Sequence, residues 1–293
     1  MPESAPRTAG TTHSTIPVCL SAGFFLRFVL PCLSMPKRGP RSKIEYLKIF
    51  NYILKVLYTG MQWKELPIAN TADDMPEIHY TRVYRHFARW SDDGSMTEFF
   101  TVSVKQLHDS GLLDLSVLHG DGTNTVAKKG GDGIGYSGHK HQTGEKIMAI
   151  VENNGYVLAP FPVAAVNTND CVLLLQSLDH LTGISRGVGF SLKGSIRNLD
   201  GVFDSKKNRK TIFNRGMVPN SPENKRNRRR PKPGPKRMFD AAIHGLRLVV
   251  ERTFAWEDKF KRLLLRLERI QSRHLSLKLI AYALINLRRF CSA

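Results

Sequence analysis

At 293 residues, 41% of them hydrophobic, the chain can bury a sizeable core and hold one large domain with a smaller one, needing no disulfide or metal staples. Lys and Arg number 44 against 25 Asp and Glu, a formal charge of +19, so a polyanion is the expected partner, nucleic acid before an anionic membrane. Cys19, Cys32, Cys171 and Cys291 lie far apart with no CxxC pair, which argues against a disulfide framework or a zinc site and fits a reducing cytoplasm.

The apolar stretch 18–34 has the composition of a signal peptide, but its flank is weakly basic, Arg27 interrupts it and Pro31 ends a helix there. Residues 1–40 are therefore expected to form a poorly structured or non-native extension, with Met35 as the true start. In 44–57, Leu47, Phe50, Ile53, Leu54 and Leu57 recur at helical spacing before the stop signal Gly60. A second helix is expected over 77–90, with Ile78, Val83, Phe87 and Trp90 for packing and Arg82, Arg85 and Arg89 on one basic stripe. A third begins at Ser95, which stands at capping-box spacing from Glu98. Residues 41–111 thus read as a small all-helical N-terminal domain. It is a helix-turn-helix unit if the stripe meets DNA, and an ordinary helical domain with a solvated face if it does not.

After Leu112 the character changes. Short β-prone runs at 115–119, 145–152 and 156–166, separated by glycine-rich and Asn-Gly turn signals, predict adjacent, largely antiparallel strands. A helix over 170–181, a strand within 188–199 and a helix over 205–214 follow, and strands first with helices later indicate a mixed α/β sheet over 112–293. Residues 206–237 hold 13 Lys and Arg against one acid, Glu223, and 221–237 with four prolines reads as a long exposed loop. Helices are expected again over 239–260 and 276–290.

Three acids stand out. Asp121, in His-Gly-Asp-Gly-Thr, lies at an expected strand end before glycines that allow a sharp turn; it is a ligand there or simply a turn residue. Asp200 and Asp204 lie near a second strand end. Asp204 immediately precedes a helix and has the place of an N-cap, so Asp200 is the preferred ligand. Glu251 sits mid-helix, where His244, Arg247, Glu251 and Lys259 share one face; the alternative is a surface pair between Arg247 and Glu251. Lys128, Lys129, His139, Lys140 and Lys146 surround a glycine-rich run, 130–138, that lacks the Gly-Lys-Ser/Thr ending of an ATP-binding loop.

In combination, Gly120-Asp121-Gly-Thr123, Asn198-Leu-Asp200-Gly-Val-Phe-Asp204-Ser205 and the stretch 250–267 resemble DDE transposases of the insertion-sequence-five family, with the likeness running over about 42–290. That family's second acid opens an Asp-x-Gly-Phe/Tyr-Asp segment, in agreement with Asp200. Its third belongs to a Tyr-x2-Arg-x3-Glu-x6-Lys signature. Arg247 and Glu251 keep this spacing, whereas His244 replaces the tyrosine and Asp258 the lysine, with Lys259 one residue on.

The resemblance implies a ribonuclease-H-like fold, with a five-stranded mixed sheet flanked by helices. It also implies a metal-dependent DNA transposase that cleaves element ends and transfers strands into target DNA. Asp121, Asp200 and Glu251 would hold two Mg2+ or Mn2+ ions, hard cations suited to carboxylate oxygens. Double-stranded DNA would be held by Arg82, Arg85, Arg89, Lys128, Lys129, Lys140, Lys225, Arg226, Arg228, Arg229, Arg230, Lys232, Lys236, Arg237, Arg247 and Lys259. A homo-oligomer, expected to be a dimer, acting at the nucleoid in a bacterial cytoplasm completes the expectation. A nuclease without strand transfer and a non-catalytic DNA-binding descendant are the alternatives.

Overall fold

The computed structural model describes residues 15–36, 42–159, 161–224 and 238–291. Its centre is a mixed sheet of β1 (Val117–Val126), β2 (Gly135–Ser137), β3 (Gln142–Glu152), β4 (Val163–Ala165), β5 (Ile196–Asn198) and β6 (Val218–Asn220). The order is β2-β3-β1-β5-β6, with β4 also paired to β3. β1 and β3 are antiparallel, while β1, β5 and β6 run parallel. The expected five strands become six because the outer edge of β3 is shared by two short antiparallel strands.

Helix α5 (Asp170–Val188) packs on β3, capped by Asn169, whose side chain accepts from the Cys171 N–H at 2.8 Å, and ended by Gly189 at φ 99°. The helix outruns the expected 170–181, since no breaker precedes Gly189 on its buried Leu173, Leu174, Leu178 and Leu181 face.

The N-terminal helices are present: α2 (Tyr46–Thr59), α3 (Tyr80–Asp92) and α4 (Ser95–Asp109). They share their core with the rest of the chain. The C-terminal α9 (Gln271–Leu287) is buried almost all round, which requires cover on every side, and α4 and α3 supply part of it. Asn286 stitches the layers, its amide donating to Ser103 Oγ at 3.1 Å and to the Val157 carbonyl at 2.9 Å. The expected capping box at Ser95 does not form. Gly94 takes the cap position at φ 86°, and Asp93 accepts from both the N–H and the hydroxyl of Ser95.

Residues 20–33 differ most from expectation. The helix α1 (Ala22–Phe24) continues through a π-helical turn, Phe25–Val29, and a 3-10 turn, Leu30–Cys32. Leu20, Phe24, Phe25, Phe28, Val29, Cys32 and Leu33 are all buried. Phe25 packs against Phe50 and Phe28 against Phe290, each at 5.9 Å between ring centres, and Asn51 holds both backbone groups of Leu20. The apolar run that resembles a secretion signal is here a piece of core. Among the described residues no helix is long and apolar enough to cross a membrane.

Buried charges brace the frame: Arg266 meets Glu145 at 2.9 Å, and Glu257 is paired with Lys278. Glu152 accepts from backbone N–H groups, among them those of Asp114 at 2.7 Å and Tyr156 at 2.9 Å, and burial pushes its carboxyl up to about 7. A carboxyl raised in the folded state contributes stability that is fully present below its ordinary value of 4.5 and is lost as pH rises through the raised one. Between about pH 4.5 and 8 the wild type should therefore lose about 3 kcal/mol relative to Glu152→Gln in urea unfolding. A difference that stays constant with pH would contradict this.

Candidate active site

β1 and β5 lie side by side, and their last aligned pair is His119 with Asn198. Two residues further along the chain from each come Asp121, still within β1, and Asp200, just past the end of β5. Both therefore stand at the carboxyl end of the parallel pairing, where open α/β sheets offer a crevice. Asp121 is not at the end of its strand, as the flanking glycines had implied. β1 continues to Val126 on its β3 side, with Asp121 opposite Ala149. Gly120 is required for another reason: the buried Arg197 side chain crosses it, and a Cβ there would lie 2.2 Å from Arg197 Nη2.

Asp200 is half exposed, and its Oδ1 accepts from the Gly201 N–H at 2.6 Å, capping the 3-10 turn Gly201–Phe203. Asp204 is not the N-cap of α6 (Lys206–Phe213); Ser205 is, through the Asn208 N–H. Asp204 instead has a fully buried carboxylate paired with Arg209 Nε at 2.8 Å, and it accepts from the Asn224 N–H. The two acids thus differ in setting, Asp200 half exposed near Arg247 and Asp204 buried in its own ion pair. Asp204→Asn breaks a buried pair and should cost about 3 kcal/mol of unfolding free energy, leaving cleavage intact in the folded fraction. A stable but inactive Asp204→Asn protein would reverse the assignment.

The single helix expected over 239–260 is broken. α7 (Ala241–Gly245) ends at Gly245, α8 (Leu248–Glu257) begins after Arg247, and Lys259 lies beyond it, exposed. His244, Arg247, Glu251 and Lys259 therefore do not share one helix face. His244 turns to Asn198, Nδ1 donating to Oδ1 at 3.3 Å, and burial lowers its pKa.

Arg247, at the joint, points into the crevice. Its Nη2 donates to Asp121 Oδ2 at 3.0 Å, and Nη1 lies 3.8 Å from Asp200 Oδ1. Glu251, in the first turn of α8, is exposed. Burial raises the Asp121 carboxyl; Arg247 pulls it back down, while the negative charges of Asp200 and Glu251 push it further up. Asp200 and Glu251 are thus both within electrostatic reach of Asp121.

No group of three ligating side chains among the described residues is close enough to hold a metal ion as it stands. The donor set nonetheless fits one. The carboxylates of Asp200 and Glu251 raise the proton affinity of Asp121, and a guanidinium already lies between Asp121 and Asp200 as a stand-in cation. Arg247 Nε lacks a hydrogen-bond partner among the described residues, so it has capacity for another acceptor. If Arg247 takes a cation's position, Arg247→Gln should bind Mn2+ about tenfold more tightly in the absence of DNA, by calorimetry. Equal or weaker binding would count against it.

Of the residues expected to meet DNA, Arg82, Arg85, Lys128, Lys129, Lys140 and Lys259 are exposed, while Arg89 is partly engaged with the Ser34 carbonyl at 3.1 Å. Lys146 is committed to Asp170 at 2.6 Å. Lys225, Arg226, Arg228, Arg229, Arg230, Lys232, Lys236 and Arg237 lie outside the described residues. Part of the glycine-rich run is structural: a Cβ at Gly131 would meet the Arg269 carbonyl at 2.5 Å, and Asp132 bonds Arg266 and the Gln271 N–H. Sequence reasoning missed the buried polar residues His119, Asn198 and Asn220 beneath the acids, whose only signal was polar side chains in strand-like surroundings.

Two aspartates just past the carboxyl end of the β1–β5 parallel pairing, with a glutamate on α8, define a mixed α/β protein with a carboxylate-lined cleft. The model of the Transposase DDE domain family matches residues 107–285, and the chain belongs to that family. No curated protein matches it. Among solved structures it is similar to the piggyBac transposase synaptic complex with hairpin DNA, at 12% identity and a TM-score of 0.51, covering 90% of this chain and 69% of that one. The Mos1 mariner paired end complex with Mn aligns at 12% identity and a TM-score of 0.26, over 67% of this chain and 64% of that one, too low to add to the argument.

Proposed function

We propose that the chain is a DNA transposase of an insertion sequence, of the insertion-sequence-five type, that cleaves the element's ends and joins them to target DNA. The observation that carries this reading is the placement of Asp121 and Asp200 two residues beyond the last pair of the β1–β5 ladder, both approached by Arg247, with Glu251 in electrostatic reach of Asp121, in a chain of the Transposase DDE domain family.

Asp121, Asp200 and Glu251 would hold two Mg2+ or Mn2+ ions. When bound, the ions supply positive charge to a phosphodiester whose own charge repels nucleophiles, and they lower the proton affinity of the attacking oxygen. In cleavage a water oxygen attacks phosphorus, the bond to the 3′ oxygen breaks, and that oxygen leaves with a proton. In joining, the freed 3′-hydroxyl attacks a target phosphorus and displaces the target's own 3′ oxygen. Arg247, released from the aspartates, suits a phosphate through its planar fork. Lys128, Lys129 and Lys140 around β2, with Arg82, Arg85 and Arg89 on α3, would add backbone affinity that falls with salt, as would the basic segment 225–237. The reading also takes the chain as a homodimer acting at the nucleoid in a bacterial cytoplasm, with 112–293 as the catalytic domain.

The test is Mg2+-dependent cleavage of duplexes bearing the element's ends, followed by strand transfer with a precut end. Cleavage without transfer would reduce the protein to a nuclease, and binding without cleavage to a DNA-binding descendant.

A further inference from the structure

His119 and Asn198 are register partners on β1 and β5, and Asn198 is in turn partnered by Asn220 on β6. The three make a polar row across parallel strands, directly behind Asp121 and Asp200, with His119 and Asn198 fully buried and Asn220 nearly so. A sheet face under a helix is ordinarily apolar, because burying an amide without partners costs a few kcal/mol.

Here every polar atom of Asn198 is used. Its Nδ2 donates to the Ile243 carbonyl at 2.7 Å and to His119 Nδ1 at 3.2 Å; its Oδ1 accepts from Asn220 Nδ2 and His244 Nδ1, each at 3.3 Å. Asn220 holds Asp240 by both backbone groups, donating to its carbonyl at 3.0 Å and accepting from its N–H at 2.9 Å. His119 is held from behind by Asn153, which donates to Asp114.

These bonds converge on one short stretch, 240–244. α7 buries no residue. α8 is held along its buried side by Val250 near its start and by Glu257, paired with Lys278 and Tyr282 on α9, at its far end. Arg247, shortly before Val250, is tied to α7 through its N–H on the His244 carbonyl at 3.2 Å, and Glu251 follows in the first turn of α8.

We propose that Asn198 and Asn220 are positioning residues, a polar clamp on α7 that sets Arg247 and Glu251 against Asp121 and Asp200. The clamp rests on the reading of the three acids as metal ligands.

The test uses the full chain and Asn198→Leu, which keeps the volume and removes the polar atoms. In calorimetry without DNA its Mn2+ affinity should fall about tenfold, the usual cost of losing a group that orients a ligand. Cleavage kcat should fall about a hundredfold with KM for the duplex nearly unchanged, as expected of misplacement. A general lesion would not produce the decisive result: in a Glu251→Gln background Asn198→Leu should lower Mn2+ affinity no further, because its effect passes through Glu251.

Unchanged affinity in Asn198→Leu, or an equal fall in both backgrounds, overturns the clamp. Should Asn198→Leu not fold, Asn220→Leu, which loosens only the Asp240 grip and the Asn198 contact, is read by the same criteria. If Glu251→Gln alone leaves Mn2+ affinity intact, the ligand reading fails and the clamp with it. If Glu251→Gln weakens binding and the asparagine variants do not, the clamp alone is wrong.

Discussion

Asp121→Asn is expected to abolish cleavage of element-end DNA while leaving duplex binding nearly unchanged. The substitution preserves shape and removes the charge from the most buried of the three acids, the one Arg247 approaches at 3.0 Å. A metal ion stabilises a transferring phosphate by several kcal/mol, so losing its best-placed ligand should slow cleavage by at least about a thousandfold. Binding survives because the exposed arginines and lysines that supply it lie elsewhere, on α3 and around β2. Asp200→Asn and Glu251→Gln should behave alike, with Mn2+ affinity falling in each. Since burial raises the Asp121 proton affinity, protons should also compete with the metal: Mn2+ binding by the wild type should weaken as pH falls through the raised Asp121 value, and that dependence should be absent in Asp121→Asn. A folded Asp121→Asn protein that still cleaves would remove the central claim.

Local features were legible in the sequence where local forces decide. α6 begins and ends within a residue of expectation because Ser205 caps it and Gly216 follows it closely. α2 stops where Gly60 takes φ 76°. The sequence reason for preferring Asp200 over Asp204 does not hold: the cap is Ser205, and Asp204 is held by Arg209, a partner five residues away whose orientation no spacing rule gives.

Where long-range pairing decides, the sequence was misleading or silent. The glycines around Asp121 read as a turn, yet β3 holds β1 straight through them, and Gly120 answers to Arg197 from another strand. The break between α7 and α8 was marked by Gly245, but its consequence, Arg247 lying between two aspartates, depends on segments of chain far earlier in the sequence, around Asp121 and Asp200. The row of His119, Asn198 and Asn220 exists only in the register of three strands.

A chain begun at Met35 is expected to lose cooperative folding, contrary to what the first 34 residues imply as a sequence. The seven buried side chains from Leu20 to Leu33 include three phenylalanines. At about 1.5–3 kcal/mol for each large apolar side chain, their gross contribution is of order 10 kcal/mol, comparable to the whole stability of a typical domain. Ordering the segment costs entropy that offsets much of this, so the net figure is smaller. The stronger argument concerns what is left behind. Phe50 and Phe290 would lose their ring partners, and Asn51 would lose both bonds to Leu20. Ser34, which receives Arg89 and Trp90 on its carbonyl, would lose the chain that places it.

A single substitution separates packing from chain length. Phe28→Ala, in the full chain, should cost about 3–5 kcal/mol in denaturant unfolding. If the Met35 chain unfolds cooperatively with the full chain's midpoint, and Phe28→Ala costs nothing, the segment is an ornament on the core. If both are impaired, truncation abolishes DNA cleavage through α2, α4 and α9, without any residue of the segment touching the acids.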